Sequence, residues 1–324
     1  MLKTRIITAL ILGSILVLTI LFKPVWFLFL SFLFILVGIW EWFNLFSFDA
    51  LGNRKRVEIC CYFIFFPIFF IFFILMPISW LVSNSYLLSD YQIPILNIFN
   101  HPPYVHSPFH YGVIYTCLFF FWLIIPPLMI INYQKKLFHQ APDTLKRPKW
   151  VWRSLTIGPE ATWQSFLLGN FLLLGLWVVL HNLLSIGPYI LLLFLLIVWS
   201  ADTAAYFSGK KYGKHMLAEN ISPGKTWEGV MGGLITGILT AFLSLYLFKE
   251  FSGVGLFEAS PIRIILLSSV TVIYSVVGDL FISIIKREIG KKDTGILIPG
   301  HGGVLDRIDS LMPAVLFLVF LPKS

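Results

Sequence analysis

The chain has 324 residues, of which 58% are apolar and 12% are charged, and its formal net charge is +8. A soluble domain carries about twice that share of charged residues. The composition excludes a soluble globular enzyme, a disordered chain and a disulfide scaffold. Long apolar runs without alternation predict an all-α polytopic integral membrane protein and not a barrel. The excess of Lys and Arg is typical of cytoplasmic loops, so we expect no nucleic-acid partner.

The charge-free runs predict nine transmembrane helices, because a helix needs roughly 20 apolar residues to cross the bilayer. The predicted spans are residues 6–22, 25–46, 58–82, 111–133, 163–181, 186–206, 229–248, 263–284 and 307–322. With a cytoplasmic N-terminus, 20 of the 24 Lys and Arg residues fall on the cytoplasmic side. This asymmetry predicts that orientation and places the loop 83–110 outside.

Two parts of the chain differ in their polar content. Residues 1–160 are expected to form N-terminal membrane helices with the external loop 83–110. Residues 161–324 are expected to form C-terminal catalytic membrane helices that carry cytoplasmic motif loops. Gly, Ser, Lys and Asp are concentrated in residues 199–313, around the predicted cytoplasmic ends of the spans, so we expect the chemistry there.

Acidic residues inside predicted spans are functional candidates because a charge in the bilayer is costly. Three acids qualify, namely Asp202, Asp279 and Asp306. Glu41 is a shallower case, for which an interfacial cap or a buried ion pair is the alternative. On a helix, Asp279, Ser283 and Lys286 would share one face, since they are spaced i, i+4 and i+7.

The segment 286–307 combines five cations with five glycines. Glycines let backbone N–H groups approach a ligand, and the cations suit phosphates. The flanking carboxylates and hydroxyls suit Mg²⁺ bound to phosphate oxygens. An ordinary cytoplasmic loop would explain the cations alone.

A second polar segment, 202–214, is predicted as a loop after the sixth span, and residues 221–229 follow it. It is not a Walker motif, because Glu219 stands where that motif needs glycine. It can still hold phosphate through hydroxyls, backbone N–H groups and lysines. Ser222 is expected to cap the following helix.

These residues resemble the phosphatidate cytidylyltransferases, also called CDP-diacylglycerol synthases. The closing signature of that family is matched by Ser283, Lys286-Arg287, Lys292-Asp293, His301-Gly302-Gly303, Asp306-Arg307 and Asp309. An upstream block is matched by Asp202, Ala205-Tyr206, Gly209, Gly213, Ser222-Pro223, Lys225-Thr226-Trp227 and Gly229. The close match covers residues 199–313, and Trp40-Glu41-Trp42 is a weaker resemblance.

The resemblance implies many membrane helices around a cytoplasm-facing polar cavity. It implies the reaction of CTP with phosphatidate to give CDP-diacylglycerol and pyrophosphate, a step of phospholipid biosynthesis. It further implies Mg²⁺, K⁺ as a second cation, a homodimer, and a multi-pass location in a bacterial cytoplasmic (inner) membrane. The family's metal ligands correspond to Asp279 and Asp306.

Roles for the remaining residues follow as hypotheses. Ser283 joins the two acids as a metal ligand. Neutralisation of phosphates is assigned to three cations, Lys225, Lys286 and Arg287. Hydrogen bonds to substrate are assigned to Ser222 and Thr226.

The other candidates are assigned to the substrates and to the loop. His301 shapes the phosphate-facing loop with Gly302 and Gly303, unless it is a loop-packing histidine. Asp202 orients a Lys, an Arg or a second cation. Arg307 is assigned to the lipid phosphate, because a guanidinium can bind phosphate through two hydrogen bonds. For Asp309 we expect an ion pair with an arginine in preference to a metal.

Two other functions remain as alternatives. A polytopic transporter or channel would use the intramembrane acids as an ion path. Another lipid nucleotidyl- or phosphotransferase would share the chemistry. The CDP-alcohol phosphotransferases need an Asp-Gly-x-x-Ala-Arg run, which the sequence lacks.

Overall fold

The structure is a computed structural model, and it describes residues 2–45, 109–138, 163–252, 260–298 and 302–319. Its helices are α1 (Leu2–Phe22), α2 (Pro24–Leu45), α3 (Phe109–Phe138), α4 (Trp163–Ile186), α5 (Pro188–Tyr212), α6 (Trp227–Ser252), α7 (Pro261–Glu288), α8 (Leu305–Ile308) and α9 (Leu311–Val319). An antiparallel hairpin of β1 (Met216–Ala218) and β2 (Ser222–Thr226) connects α5 to α6.

Six of the described helices are long and apolar enough to cross a membrane. These segments are Pro24–Leu45, Tyr115–Gln134, Leu167–Leu184, Pro188–Tyr212, Trp227–Glu250 and Pro261–Glu288. The chain is therefore a helical multi-pass membrane protein, as the composition predicted. The predicted span 58–82 lies outside the described residues, and so does nearly all of the loop 83–110. The total of nine spans stays a prediction.

The chain divides into two compact units. The first consists of Met1–Phe46 and Tyr111–Ser324, and the second of Ser47–His110. All contacts described below lie within the first unit. In it, α7 packs on α6 and α9, and α2 packs on α4. The predicted division at residue 160 stays a prediction.

The prediction of a loop over 202–214 is wrong for most of its length, because α5 continues to Tyr212. Ala204, Ala205, Lys210 and Lys211 all favour helix. Gly209 lies inside this helix, where the backbone of α6 passes close to it. A Cβ at Gly209 would lie 3.6 Å from the Cα of Gly229.

Small residues at every fourth position let α5 and α6 pack closely along their length. They are Ala201, Ala205 and Gly209 on α5 and Gly229, Gly233 and Gly237 on α6. A Cβ at Gly233 would lie 3.0 Å from the carbonyl oxygen of Ala201 and 3.4 Å from the Cβ of Ala205. Larger residues would separate the two helices, so this small-residue stripe determines how the polar end of α5 meets the start of α6.

The predicted last span, 307–322, is not one continuous helix. A turn at Asp309 and Ser310 separates α8 from the nine-residue α9. Pro313 explains the break, because its ring has no N–H and conflicts with the carbonyl four residues earlier, that of Asp309. A Cβ at Gly278 of α7 would overlap this carbonyl oxygen. Asp306 and Asp309 therefore lie on a short helix and a turn, not on one membrane span.

Candidate active site

One face of α7 carries the predicted polar stripe. The Ser283 hydroxyl donates a hydrogen bond to Oδ1 of Asp279 (3.3 Å). Lys286 lies one turn further along and is 8% exposed. The i, i+4 and i+7 spacing therefore brings a carboxylate, a hydroxyl and an ammonium group to one side of a single helix, as expected.

Two lysines pair with the two acids that were predicted to bind metal. Nζ of Lys225 lies 2.6 Å from Oδ2 of Asp279, and Nζ of Lys286 lies 2.7 Å from Oδ1 of Asp306. The other oxygen of Asp306 accepts hydrogen bonds from the backbone N–H groups of Thr294 (2.9 Å) and Gly303 (3.1 Å). Asp306 thus has both carboxylate oxygens held, one by a cation and one by the loop.

The turn between α8 and α9 adds two further acids to this region. The Ser310 hydroxyl lies 3.4 Å from Oδ2 of Asp202, which α5 contributes. Asp309 is 4% exposed and accepts a hydrogen bond from the backbone N–H of Ser310 (2.8 Å). Four carboxylates from three separate segments therefore meet beside two lysines.

These groups line one end of a cavity of about 800 Å³. Its ionic end is lined by Asp202, Lys225, Thr226, Asp279, Lys286, Asp306, Arg307 and Asp309. The cavity continues between α1, α2, α4 and α5, where its walls are apolar. One continuous space thus adjoins a charged site and a hydrocarbon-like surface.

The residues present suit a hard divalent cation. Among the described residues, no group of three or more His, Cys, Asp or Glu side chains is arranged to hold a metal. Asp279, Asp306 and Ser283 offer two carboxylates and one hydroxyl. Mg²⁺ is commonly bound by one or two carboxylates, with waters and substrate phosphates completing its octahedron. In donor type this set suits Mg²⁺ together with a phosphate ligand, and Lys225 and Lys286 occupy the positions that the ion would take beside Asp279 and Asp306.

Comparison with known sequences assigns the family. A family model described as the Cytidylyltransferase family matches residues 3–324. The chain belongs to this family.

Bacterial phosphatidate cytidylyltransferases are similar to part of the chain. The one from Haemophilus influenzae is 52% identical over 134 residues, which are 41% of this chain and 46% of that protein. The one from Pseudomonas aeruginosa is 39% identical over 155 residues, 47% of this chain and 55% of that protein. The chain spans about half the length of these two relatives. The one from Rickettsia felis is 35% identical over 159 residues, 47% of this chain and 70% of that protein.

The expected helix cap at Ser222 is wrong. Ser222 pairs with Ala218 inside the hairpin, five residues before α6 begins. Thr226 caps α6 instead, since its Oγ1 accepts the hydrogen bond of the Gly229 N–H (3.1 Å). Because that oxygen acts as an acceptor, the Thr226 hydroxyl hydrogen stays available to a ligand in the cavity that Thr226 lines.

Other predicted residues lie around the cavity or beyond the described ranges. Arg287 is exposed, and its Nε donates to the carbonyl oxygen of Ile221 in the hairpin turn (3.2 Å). Gly302 has φ +86°, a conformation that favours glycine, and its carbonyl accepts the Ile298 N–H (2.9 Å). His301 lies outside the described residues, so its role stays a prediction.

Glu41 contacts the loop beside the site, although the sequence did not place it among the predicted site residues. Glu41 of α2 is fully buried against the loop that carries Gly303. The sequence signals were an acid between two tryptophans in an apolar span and the weaker family resemblance of Trp40-Glu41-Trp42. Its partners, Thr294 and the backbone at 304–305, are more than 250 residues away.

Proposed function

We propose that the chain transfers the cytidylyl group of CTP to phosphatidate, releasing pyrophosphate and forming CDP-diacylglycerol. The observation that carries this proposal is the single cavity in which a site of four carboxylates and two lysines adjoins an apolar passage. Family membership and the names of the bacterial relatives support it.

The ionic end suits two polyanionic reactants. The phosphate of phosphatidate is ionised at neutral pH, so the attacking oxygen needs no general base. The reaction needs the two phosphates in line and their charge neutralised. Lys225 and Lys286 supply positive charge inside the cavity, and Thr226 can donate a hydrogen bond. Arg307, which lines the same cavity, would bind the lipid phosphate through two hydrogen bonds.

Asp279, Asp306 and Ser283 would hold Mg²⁺ against the CTP phosphates. When bound, this ion would neutralise negative charge on the phosphate oxygens and on the departing pyrophosphate. The two lysines already pair with Asp279 and Asp306, so they would be held close to any phosphate that approaches these acids. Asp202 would orient a second cation, with K⁺ as the candidate ion.

The apolar passage suits the acyl chains of the substrate. Its walls include Leu16 of α1, Phe27 and Ile35 of α2, and Leu176 and Leu180 of α4. A lipid whose phosphate reached the carboxylates could keep a tail against these side chains without exposing it to water. A small water-soluble acceptor would gain no apolar contact from this passage.

The same proposal places the enzyme in a bacterial inner membrane with its N-terminus in the cytoplasm. The polar cavity would then face the cytoplasm, where CTP is available. The distribution of Lys and Arg along the chain supports this orientation. A homodimer is part of the proposal only through the family resemblance.

The deciding experiment is a nucleotide panel with purified protein in defined detergent micelles containing phosphatidate. We expect CDP-diacylglycerol with CTP and Mg²⁺, and much less product with UTP or ATP; dCTP probes recognition of the sugar. Asp279→Asn should abolish turnover while the protein elutes normally on gel filtration. Asp306→Asn should also abolish turnover, with a lower Tm because it breaks the buried pair with Lys286. Solute flux in liposomes without CTP turnover would instead indicate a transporter.

A further inference from the structure

We propose that Glu41 is a positioning residue that holds the 294–305 loop and, through it, Asp306. This inference rests on the proposed cytidylyl transfer, because it concerns the geometry of the same site. Glu41 lies on α2, far in the sequence from the signature residues that line the cavity. Its role would explain why an acid lies on a buried helix face without contacting the cavity.

The Glu41 carboxylate accepts three hydrogen bonds from this loop. Its Oε1 accepts the N–H of Val304 (2.9 Å), and its Oε2 accepts the N–H of Leu305 (2.8 Å). Oε2 also accepts the hydroxyl of Thr294 (3.2 Å). Within the described residues, no cation pairs with Glu41. The buried carboxylate is therefore stabilised by two backbone N–H dipoles and one O–H dipole.

Two glycines allow the loop to approach Glu41 this closely. A Cβ at Gly295 would lie 2.6 Å from Oε1 of Glu41. A Cβ at Gly303 would overlap Oε2 of Glu41 and the Thr294 hydroxyl. The Gly-Gly pair of the family signature therefore has a steric role at its second position, namely to admit the carboxylate of α2.

The end of α2 is itself firmly anchored. Trp42 is 2% exposed, and its Nε1 donates to the carbonyl oxygen of Ser165 (2.8 Å). Its indole lies against Gly169 of α4, where a Cβ would overlap it. Nζ of Lys291 donates to the carbonyl oxygen of Asn44 (2.7 Å). Glu41 thus extends from a fixed helix end, which a positioning residue requires.

The link to Asp306 runs through Thr294, which donates to both carboxylates, and through the three consecutive N–H groups of residues 303–305. Thr294 donates its hydroxyl to Glu41 and its backbone N–H to Asp306. Gly303 gives its N–H to Asp306, and the next two N–H groups go to Glu41. The loop is therefore held between two carboxylates, and loss of either would free it to move relative to the other.

Glu41→Gln tests this role, because the amide keeps the length of the side chain but replaces one acceptor oxygen with a donor. Either the Val304 or the Leu305 N–H then loses its acceptor. We expect kcat to fall about tenfold or more, which is typical when a residue that holds a metal ligand in place by hydrogen bonds is replaced. The KM for phosphatidate should stay within about twofold of the wild-type value. We also expect faster amide hydrogen exchange in residues 302–309, which is measured without substrate.

Two controls separate positioning from stability. Leu193→Ala removes buried volume from the core cluster that Leu193 forms with Ala241 and Val272, which contains no residue of α2 or of the 294–305 loop, so it reports the activity lost through stability alone. Thr294→Val removes the longest of the three hydrogen bonds to Glu41, so its loss of kcat should be smaller than that of Glu41→Gln. If Glu41→Gln misfolds, Thr294→Val still tests the contact. A kcat for Glu41→Gln that falls only in line with its Tm, as for Leu193→Ala, would overturn the proposal.

The wild-type protein distinguishes this inference from the proposed function. If the wild type makes no CDP-diacylglycerol, the proposed function fails, and exchange in residues 302–309 still decides whether Glu41 holds the loop. If the wild type is active and Glu41→Gln matches it in kcat and in hydrogen exchange, only the Glu41 proposal is overturned.

Discussion

Lys286 of α7 and Asp306 of α8 form a buried ion pair, with Nζ 2.7 Å from Oδ1 and the side chains 11% and 6% exposed. Lys286→Met would leave the Asp306 carboxylate without its cation. Removing one partner of a buried pair typically costs about 3–5 kcal/mol. We expect a clearly lower Tm in detergent together with loss of turnover. A Tm equal to wild type would contradict the burial of this pair.

Lys225 makes the contrasting pair with Asp279, whose side chain is 38% exposed. A partly exposed pair contributes only about 0–1 kcal/mol to stability. We therefore expect Lys225→Met to keep a near-normal Tm while turnover falls at least tenfold, because the lysine faces the cavity. Comparing the two lysine variants side by side in one thermal assay separates stability from chemistry. Equal losses of Tm would contradict the prediction.

Thr226 provides a test of the cap at the start of α6. Thr226→Val removes the oxygen that accepts the Gly229 N–H, which should cost about 1 kcal/mol. It also removes the hydroxyl from the cavity, so kcat should fall. Thr226→Ser keeps both functions and should stay close to wild type in thermal melts and in turnover. If the serine variant is as impaired as the valine variant, the hydroxyl is not the important group.

The small-residue stripe between α5 and α6 should not tolerate a large side chain. Gly233→Leu would place its side chain against the backbone of Ala201, so we expect separated helices and little monodisperse protein. Leu239 on the same helix is 62% exposed and supplies the control, because Leu239→Met faces away from the stripe. Fluorescence-detected gel filtration compares the two. A normal profile for Gly233→Leu would contradict the proposed packing.

Gly278 tests how α7 meets the turn before α9. A Cβ there would overlap the carbonyl oxygen of Asp309 and lie 2.8 Å from Cδ of Pro313. Gly278→Ala should therefore displace this turn, with lower Tm and reduced turnover. Val277→Ala on the neighbouring position is the matched control, since it introduces no new atoms. Unchanged turnover in Gly278→Ala would show that the turn can move without affecting the site.

The sequence by itself determined the membrane character and most of the site chemistry. Scarce charge and apolar runs predict helices, because only helices and barrels satisfy the backbone in lipid. Helical periodicity was enough to place Asp279, Ser283 and Lys286 on one face. Asp202 and Asp306 were candidates because acids are rare in membrane segments, and the family resemblance added Asp309.

Only the tertiary structure decided which residues distant in the sequence come into contact. The partners of Glu41 lie more than 250 residues away, and no local periodicity relates positions so distant. Polar composition alone predicts a loop over 202–214, whereas α5 continues to Tyr212 through its packing on α6, with Asp202 and Thr203 lining the cavity and Lys210 and Lys211 exposed. The two ion pairs likewise join segments that the sequence does not relate: Lys225 on β2 pairs with Asp279 on α7, and Lys286 on α7 pairs with Asp306 on α8.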